Sequence, residues 1–396
     1  MGNSFHKIAM RFVLLLGVVS LFADMTYEAA RSIHGPYLAL LGVTGAVIGF
    51  TAGLGELLGY GLRFFFGLLS DKTRRYWAIT IVGYVVNLLA VPLLALANHW
   101  GLAVALIMAE RVGKAIRTPA RDVMLSHAAA AVGRGWGFAV HEAMDQVGAM
   151  LGPIIVMVVL AVNGSYRLAF AVLALPASLA IAVLIMARIT FPQPQNLESG
   201  ADNHNAHNAA ELPSVFWLYL GAIGLVAAGF ADYPLIAFHI KSHNIFEDKW
   251  IPLLYSCAMG IDALAALAFG HWYDKKGVFV LVTAIAVSST FAFFAFSFIP
   301  ALIVAGVVLW GVGMGAQESI IRAVVADIVP VHKRGTGFGL FNACFGIAWF
   351  IGSAIMGILY DFSLPAMIIM SFVCQIVSLP LFFQVHKRLS NSGPMK

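Results

Sequence analysis

Twelve apolar runs, of 21 to 29 residues each, follow one another along the chain, and each is long enough for an α-helix to cross a membrane. The chain is 61% hydrophobic and only 11% charged, which lies outside the range of soluble domains. The sequence therefore predicts an all-α integral membrane protein with twelve transmembrane helices. The runs are 8–33, 46–70, 77–97, 100–126, 136–162, 165–190, 213–241, 249–271, 277–298, 300–328, 335–360 and 364–386.

A polar segment at 191–212 separates the sixth run from the seventh. It contains Pro192, Pro194 and several Asn residues, and it has no apolar run of its own. This composition is typical of a solvated linker. We therefore predict a first six-helix bundle over 1–190, a linker over 191–212 and a second six-helix bundle over 213–396.

The basic residues of the loops predict the orientation of the chain. They are concentrated on the side that the termini and the linker share, whereas the opposite side has only Arg167, Lys241 and Lys249. Because loops rich in Lys and Arg stay on the cytoplasmic side, both termini and the linker are predicted to be cytoplasmic. The predicted location is the cell inner (plasma) membrane, with multiple passes.

The sequence lacks the short motifs of several other protein classes. The three cysteines, Cys257, Cys344 and Cys374, fall inside apolar runs and form no CxxC motif. We find no HExxH, GxSxG or Walker A motif. We therefore expect neither an enzyme nor an ATP-driven pump, and no cofactor or resident metal. The net charge of +5 follows from the cytoplasmic loops, so no nucleic-acid partner is expected.

A short basic hairpin follows the second run of each predicted bundle. The first copy is Gly67-Leu-Leu-Ser-Asp-Lys-Thr-Arg-Arg75, and the second is Gly270-His-Trp-Tyr-Asp-Lys-Lys-Gly277, which begins 203 residues later (270 minus 67). Phe22-Ala-Asp24 in the first run likewise matches Phe230-Ala-Asp232 in the seventh. Such internal matches indicate two parallel copies of one unit around a site near the membrane midplane.

The hairpin pattern Gly-x-x-x-Asp-x-x-Arg-Arg resembles the loop signature of the major facilitator superfamily, and the second copy resembles its weaker repeat. The resemblance implies two pseudo-symmetric six-helix bundles that rock about a central cavity. It also implies that the loop aspartates accept hydrogen bonds from a helix N-terminus of the opposite bundle and so latch the cytoplasmic side. The implied gating residues are Gly67, Asp71, Arg74, Arg75, Gly270, Asp274 and Lys275.

The fifth run contains Gly148-x-x-x-Gly152-Pro153. This pattern resembles the front of a signature found in drug:proton antiporters, and it favours export. A plain packing role for the two glycines remains open, because small residues at this spacing are common where membrane helices meet.

The fourth run carries a stripe of cations. Arg111, Lys114, Arg117 and Arg121 are spaced three, three and four residues apart, which places them on one slanting face of a helix. The resemblance implies that this helix lines the cavity. Two interpretations stay open. The cations grip an anionic or polar substrate, or they are saturated by carboxylates of the first and fifth runs.

The first run places Asp24, Glu28 and Arg31 on one face. A carboxylate at membrane depth that is both desolvated and close to a cation can exchange a proton as its exposure changes. A permanent salt bridge to the fourth run is the alternative. The predicted proton-coupling residues are Asp24, Glu28, Glu142 and Asp145.

The predicted substrate-binding residues come from both halves. In the first half they are Tyr27, Arg31, Arg111, Lys114 and Arg117. The sparser second half adds Asp232, Tyr233, Gln317, Glu318, Arg322 and Asn342.

These patterns predict a secondary active transporter. The leading hypothesis is alternating-access, proton-coupled export of a small amphipathic or anionic solute by a monomer. The expected partners are a small-molecule substrate, protons and the lipid bilayer. Organic-anion uptake or uniport is the alternative, favoured by the cationic stripe. A transition-metal exporter and a non-transporting membrane receptor are further alternatives.

Overall fold

A computed structural model describes residues 2–197, 212–330 and 333–391, and these ranges contain helices and no strands. Most of the predicted linker, 198–211, lies outside the described residues. The α-helices are α1 Gly2–Leu40, α2 Gly45–Thr73, α3 Tyr76–Leu93, α4 Trp100–Val132, α5 Arg134–Asn163, α6 Tyr166–Val172, α7 Ala174–Thr190, α8 Ser214–Gly229, α9 Tyr233–Ser242, α10 Trp250–Lys276, α11 Phe279–Ser288, α12 Phe291–Ala295, α13 Pro300–Ile328, α14 Arg334–Phe362 and α15 Leu364–Asn391.

Ten helical segments in the described part of the chain are long and apolar enough to cross a membrane. Two of the twelve predicted runs fall outside this set. Helix α4 is long enough, but its charged stripe lowers its hydropathy. The run at 277–298 is a shorter apolar segment, Phe279–Ala295, made of α11 and α12. An all-helical membrane protein is thus confirmed, whereas the count of twelve spans stays a prediction.

The predicted seventh run is two helices, α8 and α9. Helix α8 ends at Gly229, and α9 begins at Tyr233 with Pro234 in its first turn. Proline fits the first turn because the N–H it lacks has no intrahelical partner there. Inside a continuous helix the same proline would remove a hydrogen bond, so the break falls just before it, at Phe230–Asp232.

The two basic hairpins have the same backbone geometry. Helix α2 ends at Thr73 and Arg74 has φ 52°, whereas α10 ends at Lys276 and Gly277 has φ 57°. These left-handed residues are again 203 positions apart (277 minus 74). The equivalence agrees with the internal repeat seen in the sequence. Glycine adopts this conformation without a steric cost, but arginine does not.

Contacts group the chain into two compact units. Unit 1 takes its residues from Met1–His34, Gly61–Asn205 and Asp248–Ser256. Unit 2 takes its residues from Gly35–Tyr60, Ala206–Glu247 and Cys257–Lys396. The first half of α2 therefore packs with unit 2, and the first turns of α10 pack with unit 1. The predicted bundles 1–190 and 213–396 follow chain order, and they remain a prediction.

Candidate functional site

Glu28 is the centre of a buried charged cluster in unit 1. Its side chain is 6% exposed. Its Oε1 lies 3.7 Å from the Lys114 Nζ on α4, and the Tyr255 hydroxyl on α10 donates to its Oε2 at 2.5 Å. One carboxylate on α1 thus joins two other helices of this unit, through one cation and one neutral donor.

Asp24 lies one turn before Glu28 on the same face of α1. The Tyr27 hydroxyl donates to the Asp24 Oδ1 at 2.5 Å. The Lys114 Nζ lies 4.0 Å from the centroid of the Tyr27 ring, which is within the range of a cation–π contact. Lys114 therefore contacts Glu28 directly and Asp24 through Tyr27, so a change of charge at one carboxylate reaches the other.

Arg117 is fully buried between two tyrosine rings. It is 1% exposed, and its Cζ lies 4.3 Å from the centroid of Tyr84 and 5.6 Å from that of Tyr27. Among the described residues its Nε and Nη1 have no hydrogen-bond partner. Gly83 permits this position, because a Cβ there would lie 2.5 Å from the Arg117 backbone N. The buried guanidinium thus keeps donors that an anionic group can use.

A second hydrogen-bonded group lies further along α4. Arg121 pairs with Asp122 at 2.8 Å and donates to the Ser20 Oγ at 3.2 Å. Ser20 also lies 2.9 Å from the His141 Nε2, and the His141 Nδ1 is 3.5 Å from the Asp145 Oδ2. The chain from Asp145 to Ser20 connects α5 to α1 within unit 1.

Two of the stripe cations pair with acids of their own helix. The Arg111 Nε lies 3.3 Å from the Glu110 Oε2, and Asn87 of α3 donates to the Glu110 Oε1 at 2.9 Å. Arg121 likewise pairs with the adjacent Asp122. Lys114 therefore pairs with an acid of α1, whereas Arg111 and Arg121 each pair with at least one acid of α4 itself.

Gly148 and Gly152 bring α5 into contact with α1. A Cβ on Gly148 would lie 2.3 Å from the Leu21 backbone O, and one on Gly152 would lie 2.4 Å from the Met25 backbone O. The packing interpretation of these glycines thus has direct support. Their close approach sets the position of the Asp24 turn against α5.

We expect Gly152→Ala to destabilise the protein by ~1–3 kcal/mol, the cost typical of overpacking, because the clashing atom belongs to the backbone. Thermal unfolding in detergent is the measurement. Gly135→Ala on the same helix is the control, since a Cβ there meets nothing within 4 Å. Equal melting temperatures for the two variants would contradict the close contact.

Asp232 is a buried carboxylate of unit 2, and it lies at the break between α8 and α9. The Trp349 Nε1 donates to its Oδ2 at 3.0 Å, and the Ser353 Oγ donates to the same oxygen at 2.7 Å. The Trp310 indole donates to the Ala231 carbonyl at 2.9 Å. The break thus places the Ala231 carbonyl and the Asp232 carboxylate in the middle of a predicted span. Their hydrogen-bond donors come from α13 and α14.

The remaining predicted residues have different environments. Tyr233 and Gln317 are buried, and the Gln317 Nε2 donates to the Gly313 carbonyl at 3.2 Å. Arg31 is also buried. Asn342 is half-buried, whereas Glu142, Glu318 and Arg322 are exposed side chains. The structure thus brings together Asp24, Tyr27, Glu28, Lys114 and Arg117, and it leaves Glu142 out of their cluster.

The predicted gating residues lie at the hairpins. Asp71, Arg74, Arg75, Asp274 and Lys275 are exposed, and Gly67 and Gly270 are half-exposed. Among the described residues no hydrogen bond or ion pair of Asp71 or Asp274 is found. Their latching role remains a prediction.

Sequence reasoning missed the neutral partners of the buried charges, which are Tyr255, Tyr84 and Ser20 in unit 1 and Ser353 in unit 2. All four lie inside apolar runs, where a single hydroxyl has no distinguishing pattern. Their partners could be found only from the tertiary contacts. Within 2–197, 212–330 and 333–391, no group of three or more His, Cys, Asp or Glu residues is placed to hold a metal ion.

A helical protein with many apolar spans and charged side chains buried inside them belongs to the class of polytopic membrane proteins that handle polar solutes. Comparison with known proteins identifies the family. The sequence profile of the Major Facilitator Superfamily matches residues 14–353 and 233–395. The chain belongs to the major facilitator superfamily, so the protein is a membrane-embedded, multi-pass transporter and not an enzyme.

Relatives extend over nearly the whole chain. An uncharacterized protein of Mycobacterium tuberculosis is 43% identical over 390 residues, covering 98% of this chain and 95% of its own length. An uncharacterized MFS-type transporter of Methanocaldococcus jannaschii is 26% identical over 367 residues, covering 89% of each chain.

Solved transporters share the fold. The nucleoside transporter NupG superposes with a TM-score of 0.72 at 12% identity, covering 96% of this chain and 99% of its own. A bacterial homolog of the human lysosomal transporter Spinster gives a TM-score of 0.69 at 13% identity, covering 97% and 98%. At these identities the likeness concerns the fold alone.

Proposed function

We propose that this secondary transporter couples proton movement to the export of a small amphipathic or anionic solute across the inner membrane. The proposed topology has twelve spans in two bundles with cytoplasmic termini, and the protein works as a monomer. Alternating access arises from the rocking of the two bundles, with Asp71 and Asp274 latching the cytoplasmic side.

The observation that carries this proposal is the buried contact set of Asp24, Tyr27, Glu28 and Lys114. Each ionisable side chain at membrane depth costs a few kcal/mol unless it is paired or hydrated. A structural salt bridge needs one acid and one base, whereas here two carboxylates share Lys114, one of them through a tyrosine. The second carboxylate gives the site a group that can bind and release a proton while Lys114 stays paired.

The proposed mechanism uses the two carboxylates and Lys114. With the site facing the cytoplasm and both carboxylates ionised, they accept hydrogen bonds from a polar group of the solute, and an anionic end of the solute lies against Lys114. When the site faces the other side, Asp24 or Glu28 takes up a proton, loses its affinity for that group and releases the solute. The proton then leaves on the cytoplasmic side, so proton and solute move in opposite directions.

Organic-anion uptake or uniport is the second candidate, and Arg117 favours it. Its Nε and Nη1 have no hydrogen-bond partner among the described residues, and the faces of Tyr27 and Tyr84 flank its guanidinium. A carboxylate that reaches Arg117 would satisfy these donors. Such a site would work without a proton-exchanging carboxylate.

The deciding experiment is flux in proteoliposomes across a panel of anionic, neutral and cationic solutes, with and without an imposed pH gradient. Proton-coupled export predicts saturable flux that reverses its net direction when the gradient is inverted. Anion uniport predicts flux that follows the solute gradient and the membrane potential alone. Saturable binding without flux would point to a receptor and would overturn both proton-coupled export and anion uniport.

A further inference from the structure

Asp361, at the end of α14, caps the first turn of α2. The Gly45 N–H donates to its Oδ1 at 2.7 Å, and the Ala46 N–H donates to its Oδ2 at 2.8 Å. The first N–H groups of a helix have no intrahelical partner, and the positive end of the helix dipole favours a carboxylate there. The two helix ends are therefore joined by a bidentate, charge-assisted contact within unit 2.

A row of glycines below this cap brings the two helices into backbone contact. A Cβ on Gly49 would lie 2.2 Å from the Ser353 carbonyl O, and one on Gly53 would lie 2.9 Å from the Phe350 Cα. On the opposite helix, a Cβ on Gly357 would lie 2.5 Å from the Gly45 carbonyl O. Any side chain at these positions would separate α2 from α14, so the contact depends on all three being glycine.

The neighbouring helix α9 is tied to the same end of α14. The Tyr360 hydroxyl lies 3.0 Å from the His239 Nδ1, and the His239 Nε2 lies 3.2 Å from the Ser297 carbonyl O. The cap is thus part of a wider contact at this end of unit 2.

We propose that Asp361 and the facing glycines form a releasable clasp, which holds the first half of α2 against the last half of α14 and so keeps the end of the transporter opposite the termini closed. Asp361 itself is exposed. Water can therefore replace the helix N–H groups as its partners, and the clasp can open without leaving a buried charge. A buried carboxylate at the same place would make the contact permanent.

The clasp rests on the proposed alternating access, because it has a function only if this end opens during transport. Helix α2 belongs to the first predicted bundle and α14 to the second. Rocking of the bundles must therefore break this contact in every cycle. Asp71 and Asp274 are expected to accept hydrogen bonds from a helix N-terminus at the cytoplasmic hairpins. Asp361 makes the same kind of contact at the other end of α2.

The test is a distance measurement by pulsed electron paramagnetic resonance on the full chain in lipid nanodiscs. Spin labels are placed at Thr44→Cys and Phe362→Cys, both exposed positions, after replacement of the three native cysteines. We expect the unaltered clasp to give a dominant short distance. Asp361→Ala should lower the ratio of short to long distances by about tenfold, as loss of charge-assisted hydrogen bonds implies. Asp361→Asn, which keeps one acceptor oxygen, should fall between the two.

Two matched controls separate the clasp from general damage. Gly49→Ala should shift the distances in the same direction as Asp361→Ala, whereas Gly59→Ala on the same helix should not, since a Cβ there meets nothing within 4 Å. Glu247→Gln, which removes an exposed carboxylate from the same unit, should leave the distances unchanged. Unchanged distances in both Asp361→Ala and Gly49→Ala would overturn the clasp.

The readout needs neither substrate nor pH gradient, so it does not depend on the transported solute. If the distances are unchanged in Asp361→Ala and Gly49→Ala but flux remains pH-driven, the clasp is wrong and the proposed function stands. If the distances respond as expected while flux is absent for every solute, the clasp stands and proton-coupled export fails.

Discussion

Asp24→Asn is expected to abolish pH-driven transport while leaving the protein folded. Asparagine keeps the size of the side chain and an oxygen that can accept from Tyr27, but it can neither lose nor gain a proton. If Asp24 couples protons to solute, the ratio of flux with and without a pH gradient should fall to one. The measurement is initial flux in proteoliposomes at several imposed gradients.

The control for this variant restores the carboxyl group. Asp24→Glu should keep at least part of the pH response, because a carboxylate remains in reach of Tyr27. Thermal unfolding should show that Asp24→Asn is as stable as the unaltered protein. A wild-type pH response in Asp24→Asn would remove Asp24 from the coupling mechanism and leave Glu28, Glu142 and Asp145 as the candidates.

Lys114→Met is expected to reduce transport of an anionic solute by at least about tenfold, which corresponds to ~1.4 kcal/mol of lost binding in the transport step. A neutral solute of similar size should lose much less. Methionine keeps the length and apolar stem of lysine but removes the charge that lies 3.7 Å from Glu28. The measurement is a comparison of the flux of paired anionic and neutral solutes.

Loss of Lys114 also removes the cation that lies 3.7 Å from the buried Glu28 carboxylate, and removing one partner of a buried ion pair costs about 3–5 kcal/mol. The double variant Lys114→Met with Glu28→Gln removes both charges and should recover most of that stability. If Lys114 binds substrate, the double variant should be stable and still defective for anions. Full recovery of anion transport together with stability would show that Lys114 is only a structural partner of Glu28.

Much of the fold could be predicted from the sequence, because the length and the apolar composition of a membrane span can be read from a single sequence. The hairpins after α2 and α10 and their shared left-handed residue agree with the predicted repeat. A break inside an apolar run needed the structure. The break before Pro234 divides one apolar run into α8 and α9, and hydropathy does not register a break between two apolar helices.

The candidate site was less accessible to sequence reasoning. Periodicity placed Asp24 and Glu28 on one face, and they do lie near Lys114. It did not distinguish Lys114, which contacts Glu28, from Arg111, which pairs with its neighbour Glu110. Spacing along one helix shows which residues share a face. Which side chains they contact depends on how each neighbouring helix is rotated about its own axis. Tyr255 is the clearest case, because it lies 227 positions from the Glu28 that it contacts.

The charge content of α4 bears on how the chain enters the bilayer. On the biological insertion scale, an arginine or lysine at the centre of a helix costs about 2.5–3.5 kcal/mol, and α4 carries several. Gly113 of α4 meets α3 instead of lipid, since a Cβ there would lie 2.3 Å from the Asn87 backbone N. A lone α4 would thus partition poorly from the translocon into lipid. We therefore expect α3 to remain beside the insertion channel until α4 has been made, so that the two helices enter the lipid together.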